Sequence, residues 1–362
     1  MSGNRQIEVD REQVLAHRVA AHGFDRSSAD PDVLVLGAQD TPSGSARLAL
    51  AARGASPDGL ETVWSFRGAP HLHRRAGLPA LAAALWPLDD ADATGRISTA
   101  VIKEGAKLGL AAFTATAGAI RSAVTAPTAK GEVSTLVSAA VPAALTYWCA
   151  SCGAQHISGL LLQQAGLAGG VAIGTEGGRT VLSPLDPRFP VPSEAAGTGE
   201  LVRAYLTFHG PATPAEAAKF LGTRPAAVKK VWPGDLVEVR VDGAPAWLPA
   251  ERVDGLLAAV PGEDVRLLPP GDPFLQGRDR GLLVPDKARE KEIWRAIGGP
   301  GAVLAGAELV GVWRAKAAGR RLDLTVTPFA PLSAAVTKAL GAEAATVASA
   351  RGAADVALRI AD

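Results

Sequence analysis

Residues 197–250 read GTGELVRAYLTFHGPATPAEAAKFLGTRPAAVKKVWPGDLVEVRVDGAPAWLPA, and their punctuation decides the fold. Leu201, Val202, Tyr205, Leu206 and His209 recur at near-helical spacing and stop at Gly210 before Pro211, the mark of a helix with a C-terminal glycine. Thr213 then caps a second helix, with Pro214 at its first position and Glu216 three residues after the cap, and this helix ends at Gly222. Thr223 is expected to cap a short third helix, RPAAVKKVW. Pro233-Gly234 turns the chain into LVEVRV, and Asp242-Gly243 reverses it into APAWLP, a β-hairpin. Three helices followed by a hairpin are a winged helix. A helix-turn-helix sets its last helix in the DNA major groove, so Arg224, Lys229 and Lys230 are the candidates to meet DNA.

Working outward, the same order recurs. Residues 97–122 look helical, KGEVSTLVSAAV after Pro127 gives a second helix, and TYWCASCGAQHISGLLLQQAG a third; VAIGTEGGRTVLSP gives a hairpin turning at Gly177-Gly178. Lys130 opens the second of these helices and joins the candidate DNA contacts. A third copy is read in the first 90 residues from a helix at 10–22, a helix capped by Ser43 or Ser45, and the extended segments TVWSFRG and HLHRR. From 262 onward VRLLPP, GLLV, AVLAGAELVGVWRAK and RRLDLTVTPF are strand-like, and 331–350 is an alanine-rich helix. The expected architecture is α+β: winged helices at 1–96, 97–190 and 197–261, then a β-rich unit with a closing helix at 262–362.

Composition narrows the function. Of 362 residues, 37 are Lys or Arg and 36 are Asp or Glu, so any nucleic-acid surface is a local patch on a chain of net charge +1. No run approaches the ~18 to 20 apolar residues of a membrane span, and the start MSGNRQIEVDREQ lacks the apolar core of a signal peptide. Two cysteines give no disulfide framework. The chain is expected in the cytoplasm, as a monomer, without cofactor or metal, and with duplex DNA as its partner.

Five stretches, RGAPHLH, PAALTYWCASCGAQH, FHGPATPAEAAKFLG, VRLLPPGDPFLQGRDR and VGVWR, in that order resemble the winged-helix DNA-binding family that contains the AlkZ-like and YcaQ-like DNA glycosylases. The resemblance covers nearly the whole chain. It implies tandem winged helices embracing DNA and excision of alkylated purines, crosslinked ones included. In this family a glutamine, followed two residues later by glutamine or aspartate, holds the attacking water. Here the matching stretch is Val35-Leu36-Gly37-Ala38-Gln39-Asp40-Thr41-Pro42: Gln39 takes the first position, Thr41 the second, and Asp40 stands between them. In the catalytic reading Gln39 orients the water and Asp40 supplies negative charge toward the oxocarbenium-like sugar. In the structural reading Asp40, Thr41 and Ser43 form a turn and cap the following helix. Arg67 and His71 are the other family positions. Arg67 would neutralise a phosphate and His71 face a phosphate or the flipped nucleotide; the alternatives are an acidic neighbour for Arg67 and a backbone carbonyl for His71. His73, beside Arg74 and Arg75, is expected at a solvated or phosphate-facing strand end.

Two constellations point elsewhere. Trp148-Cys149-Ala150-Ser151-Cys152 copies a thioredoxin motif without its βαβ context. On a helix, Cys149, Cys152 and His156 would share one face at i, i+3 and i+7. Zinc favours four ligands and no further cysteine exists, so a buried helix face is the expectation. The glycine-rich stretches GLAGGVAIGTEGG and GGPGAVLAG are expected as turns, since neither links a strand to a helix followed by Lys-Ser/Thr.

Overall fold

The computed structural model describes residues 7–361. The chain is mixed α+β and divides into two compact units: one comprises the chain up to Asp58, Arg203–Glu216 and Gly234 onward, the other Gly59–Val202 and Ala217–Pro233. Among the described residues no helix is long and apolar enough to cross a membrane.

In the first unit, Asp10 starts the helix Arg11–Ala21 with a reciprocal capping box: its carboxylate accepts the Gln13 N–H at 2.9 Å and the Gln13 side chain accepts the Asp10 N–H at 3.3 Å. The strand Leu236–Val241 pairs antiparallel with Ala244–Pro249 and parallel with Ile7–Val9. Its turn is Asp242-Gly243, both with positive φ, which matches the right-handed twist of the flanking strands. Val9, Val14, Val239, Leu248 and Leu256 close this small core. The C-terminal part is a five-stranded sheet of Val265–Leu268, Gly301–Ala305, Glu308–Ala318, Arg321–Pro328 and Asp355–Ile360. The helix Ala334–Ala350 lays Leu340, Ala344 and Val347 on Trp313, Leu322 and Val326, and Leu48 of the helix Ser45–Ala52 joins the same cluster.

The second unit is built around Trp64, Trp86, Ile97, Phe113, Ile120, Val133 and Leu161. Its helices Leu110–Ala123, Lys130–Ala140 and Gly159–Gly166 pack with a hairpin Val171–Glu176/Arg179–Pro184, whose turn is Gly177-Gly178. The hairpins Leu60–Trp64/Pro70–Arg74 and Thr146–Cys149/Ala154–Ile157 complete it.

In 197–250 the three helices lie at Thr198–His209, Pro214–Leu221 and Pro225–Lys230, ahead of the two expected strands. Thr213 and Glu216 form the expected box: the Glu216 carboxylate accepts the Thr213 N–H at 2.7 Å. Thr223 is not the cap of the third helix, whose N-cap is Arg224; its hydroxyl donates to Asp92 instead.

Other expectations need correction. TYWCASCGAQHISGLLLQQAG is not one helix: it forms a hairpin and then the helix Gly159–Gly166, because Gly153 takes φ 61 and reverses the chain. In GLLV, the first three residues are helical within Arg280–Leu283, and only Val284 is extended. Residues 97–122 break at Gly109, with φ 58, before the helix Leu110–Ala123. The helix Ala334–Ala350 does not close the chain; it crosses over to Asp355–Ile360, which adds to the sheet parallel to Arg321–Pro328.

Candidate active site

Gln39 and Asp40 sit where a buried segment turns into a helix. Val33, Leu34 and Leu36 are buried in a 3-10 turn, Gly37 takes φ 66, and Ala38–Gln39 is extended. The Asp40 Oδ1 then accepts the backbone N–H of Gly44 at 2.8 Å and of Ala46 at 3.0 Å, satisfying donors at the start of the helix Ser45–Ala52. Ser43 and Ser45 are therefore not its caps. Asp40 is half-buried, and its Oδ2 makes no hydrogen bond among the described residues. The structural reading of Asp40 is thus realised, and one oxygen is left available for chemistry.

The loop 269–272, PPGD, returns to this corner. Gly271 has φ 78, and a Cβ placed on it would stand 3.2 Å from the Thr41 carbonyl oxygen and 3.6 Å from Gln39 Nε2. Only glycine combines that backbone with that proximity. Next to it, Asp272 pairs with Arg53 at the C-terminal end of the same helix; both side chains are 0% exposed, and both nitrogen–oxygen distances are 2.9 Å. Arg53 also donates to the carbonyls of His22 at 2.9 Å and Ala49 at 2.8 Å. The helix Ser45–Ala52, whose start Asp40 caps, is thus fixed at its far end by the residue following the glycine that faces Gln39.

Around this pair lies a buried polar cluster. His22 Nε2 is 3.1 Å from the Phe208 carbonyl, which only accepts, while Nδ1 is 3.3 Å from Arg53 Nη2, which only donates. The ring is therefore neutral with its proton on Nε2. Burial, then the neighbouring His209 and Arg53, hold His22 well below its ordinary pKa. Arg18 donates to Asp279 at 2.6 Å and to the Pro211 carbonyl at 3.2 Å. Burial works against its charge, but Asp279 wins and raises its pKa. Arg53, Gly271, Asp272 and Asp279 escape a search for chemistry because their role is support; the sequence signal for the last three is their place in VRLLPPGDPFLQGRDR, and Arg53 carries none.

The remaining candidates belong to the second compact unit. His71 is buried, with Nδ1 3.0 Å from the Ala69 carbonyl, and stands edge-on to Phe66. Arg67, at φ 60, donates to the Phe220 carbonyl and places its guanidinium over the Phe220 ring at 5.4 Å. His73 is not at a solvated strand end. It is 3% exposed, its Nε2 meets Ser65 Oγ at 3.0 Å, and burial together with Arg74 lowers its pKa to about 3. Strand periodicity explains this, since 71 and 73 share the inward face of Pro70–Arg74. Lys130 Nζ lies 5.7 Å from the Trp64 ring centroid. Arg224, Lys229 and Lys230 are exposed; Arg224 runs against Gly95, and Lys230 pairs with Asp89 at 2.5 Å.

A family model described as DNA glycosylase AlkZ-like matches residues 33–350, which is most of the chain, and this protein belongs to that family. A curated relative, an interstrand DNA cross-link repair glycosylase from Streptomyces sahachiroi, is 34% identical over 184 residues, 48% of this chain; the aligned stretch spans about half, 47%, of the relative's own length. Among solved structures, Streptomyces sahachiroi DNA glycosylase AlkZ aligns over 98% of this chain and 100% of its own with a TM-score of 0.74 at 22% identity, a likeness of fold.

Proposed function

We propose that this chain is a monofunctional DNA glycosylase that removes purines made cationic by alkylation, including those tied into an interstrand cross-link. The observation that carries the reading is the family match over 33–350, which encloses Gln39 and Asp40 at one helix start. N7 or N3 alkylation already makes the base a good leaving group, so catalysis reduces to steadying a sugar cation and placing a water. The water oxygen bonds to C1′, the C1′–N bond breaks, and its electron pair leaves with the purine as a neutral base. The proton lost by the water passes to a carboxylate or solvent, and an abasic site remains. Gln39, neutral at pH 7, orients the water; the Asp40 oxygen not used in capping faces the developing charge. The relative's name supports the cross-linked substrate, and three winged-helix units at 1–96, 97–190 and 197–261 would supply the DNA surface, with Arg67, His71, Lys130, Arg224, Lys229 and Lys230 as its contacts. Duplexes carrying 7-methylguanine, or a cross-link through purine N7, are incubated with the protein and scored for abasic sites. Release from either supports the reading, and release from neither overturns it. A second reading, DNA binding without excision, is favoured by one fact: Asp40 Oδ1 is already committed to two backbone N–H groups.

A further inference from the structure

We propose that Cys149, Cys152 and His156 bind a zinc ion at the tip of the hairpin Thr146–Cys149/Ala154–Ile157. Cys149 pairs with Ala154 across this hairpin, and strand alternation puts His156, two residues on, on the same face as Cys149. The intervening turn brings Cys152 back to that face: Gly153 adopts φ 61 and its N–H donates to the Cys149 carbonyl at 2.9 Å. One ligand atom from each of the three side chains lies within 4.8 Å of the other two. A tetrahedral zinc with bonds of about 2.3 Å to sulfur and about 2.05 Å to nitrogen needs separations of about 3.8 Å between sulfurs and about 3.5 Å from sulfur to nitrogen. Small side-chain rotations close that gap without moving the strands.

Two further observations belong to the same spot. His156 Nε2 is buried and has no hydrogen-bond partner among the described residues, so the ring has a nitrogen unused by the fold. The Cys149 sulfur meets the Ser151 hydroxyl at 3.1 Å, a contact inside the turn that carries Cys152. Both cysteines are free thiols, and Cys152 is exposed, so an ion reaches the site from solvent. Three protein ligands with an open fourth position suit zinc with a water molecule. Binding would release the thiol protons and tie the turn that carries Trp148, 61% exposed, to the strand that carries His156. This is a metal site in place of the buried helix face expected from the sequence, because the three residues converge across a hairpin and not along a helix.

The test uses the full chain, reduced with a phosphine, given zinc chloride and desalted before elemental analysis. The expected result is about one zinc per chain, with cobalt(II) in its place giving the visible bands of tetrahedral thiolate coordination. Cys152→Ser, which changes an exposed side chain and leaves the core alone, should abolish both signals while keeping the thermal midpoint of the metal-free wild type, and His156→Asn should shift or weaken the cobalt spectrum. Wild type that retains no zinc, or Cys152→Ser that retains as much as wild type, overturns the proposal. So does finding Cys149 and Cys152 only as a mutual disulfide that the phosphine cannot open to metal.

Discussion

Arg53 and Asp272, 219 positions apart, face each other through two 2.9 Å contacts with neither side chain exposed. The pair ties the end of the helix that Asp40 caps to the loop whose Gly271 faces Gln39. Burying such a pair carries a large desolvation cost, so losing one partner strands a charge. Asp272→Asn retains an acceptor for the Phe274 N–H but removes that charge, and should destabilise the protein by about 3 to 5 kcal/mol in urea unfolding. Replacing both residues with leucine should recover part of the loss.

Asp40 separates stability from chemistry. Asparagine caps a helix about as well as aspartate, so Asp40→Asn should leave the unfolding midpoint near wild type while Asp40→Ala lowers stability by about 1 kcal/mol. If the second carboxylate oxygen serves catalysis, both variants lose excision by ~10²-fold or more. Excision by Asp40→Asn at the wild-type rate would leave Asp40 a cap and nothing else.

Gly271 offers an approach to Gln39 that leaves Gln39 in place. At φ 78 an added methyl group is strained, and it would press on the Thr41 carbonyl at 3.2 Å while standing in ordinary contact with the Gln39 amide at 3.6 Å. Gly271→Ala should cost about 1 to 2 kcal/mol of stability. It should also slow excision more than a core variant of equal stability loss, a comparison made with single-turnover rates at one temperature.

How much of this was legible follows from where each signal lives. The hairpins turning at Asp242-Gly243 and Gly177-Gly178 were readable because positive φ is a local demand that glycine announces. Gly153 makes the same demand, yet the cysteine spacing around it also fits a helix face, and one-dimensional spacing cannot separate the two. His73 was misplaced because neighbouring arginines suggested a solvated strand end, whereas alternation buried its ring beside Phe66. Gln39 was found by resemblance. Its support from Gly271 and Asp272 depends on contacts more than 200 positions away, which no local pattern encodes.

Acid should weaken the fold through His73. Its folded pKa of about 3 lies below the ordinary 6.5, so the unfolded chain takes up the proton first. Its contribution is complete above pH 6.5 and is lost as pH falls toward about 3, at about 1.4 kcal/mol per pKa unit. His73→Gln, whose amide can still reach Ser65, should flatten the stability profile between pH 6 and about 4 by one proton's worth of slope. An unchanged slope would show that His73 does not titrate with unfolding.

The exposed cations of the helix Pro225–Lys230 make the last prediction, because their surroundings differ. Lys230 already pairs with Asp89 at 2.5 Å, and the hydrogen bond to that carboxylate raises its pKa, while exposed Lys229 has no ion pair among the described residues. A lysine that neutralises a phosphate releases a counterion, so if this helix meets DNA, Lys229→Ala should reduce the slope of log affinity against log salt by about 1. Lys230→Ala should change it less, because part of its charge is answered within the protein. Asp89→Asn removes that answer and should tighten binding and steepen the slope, an effect opposite in sign to either lysine variant. Fluorescence anisotropy on a plain duplex, repeated across salt concentrations, reads all three. Identical slopes for wild type and every variant would place the DNA surface elsewhere, without bearing on Gln39 and Asp40.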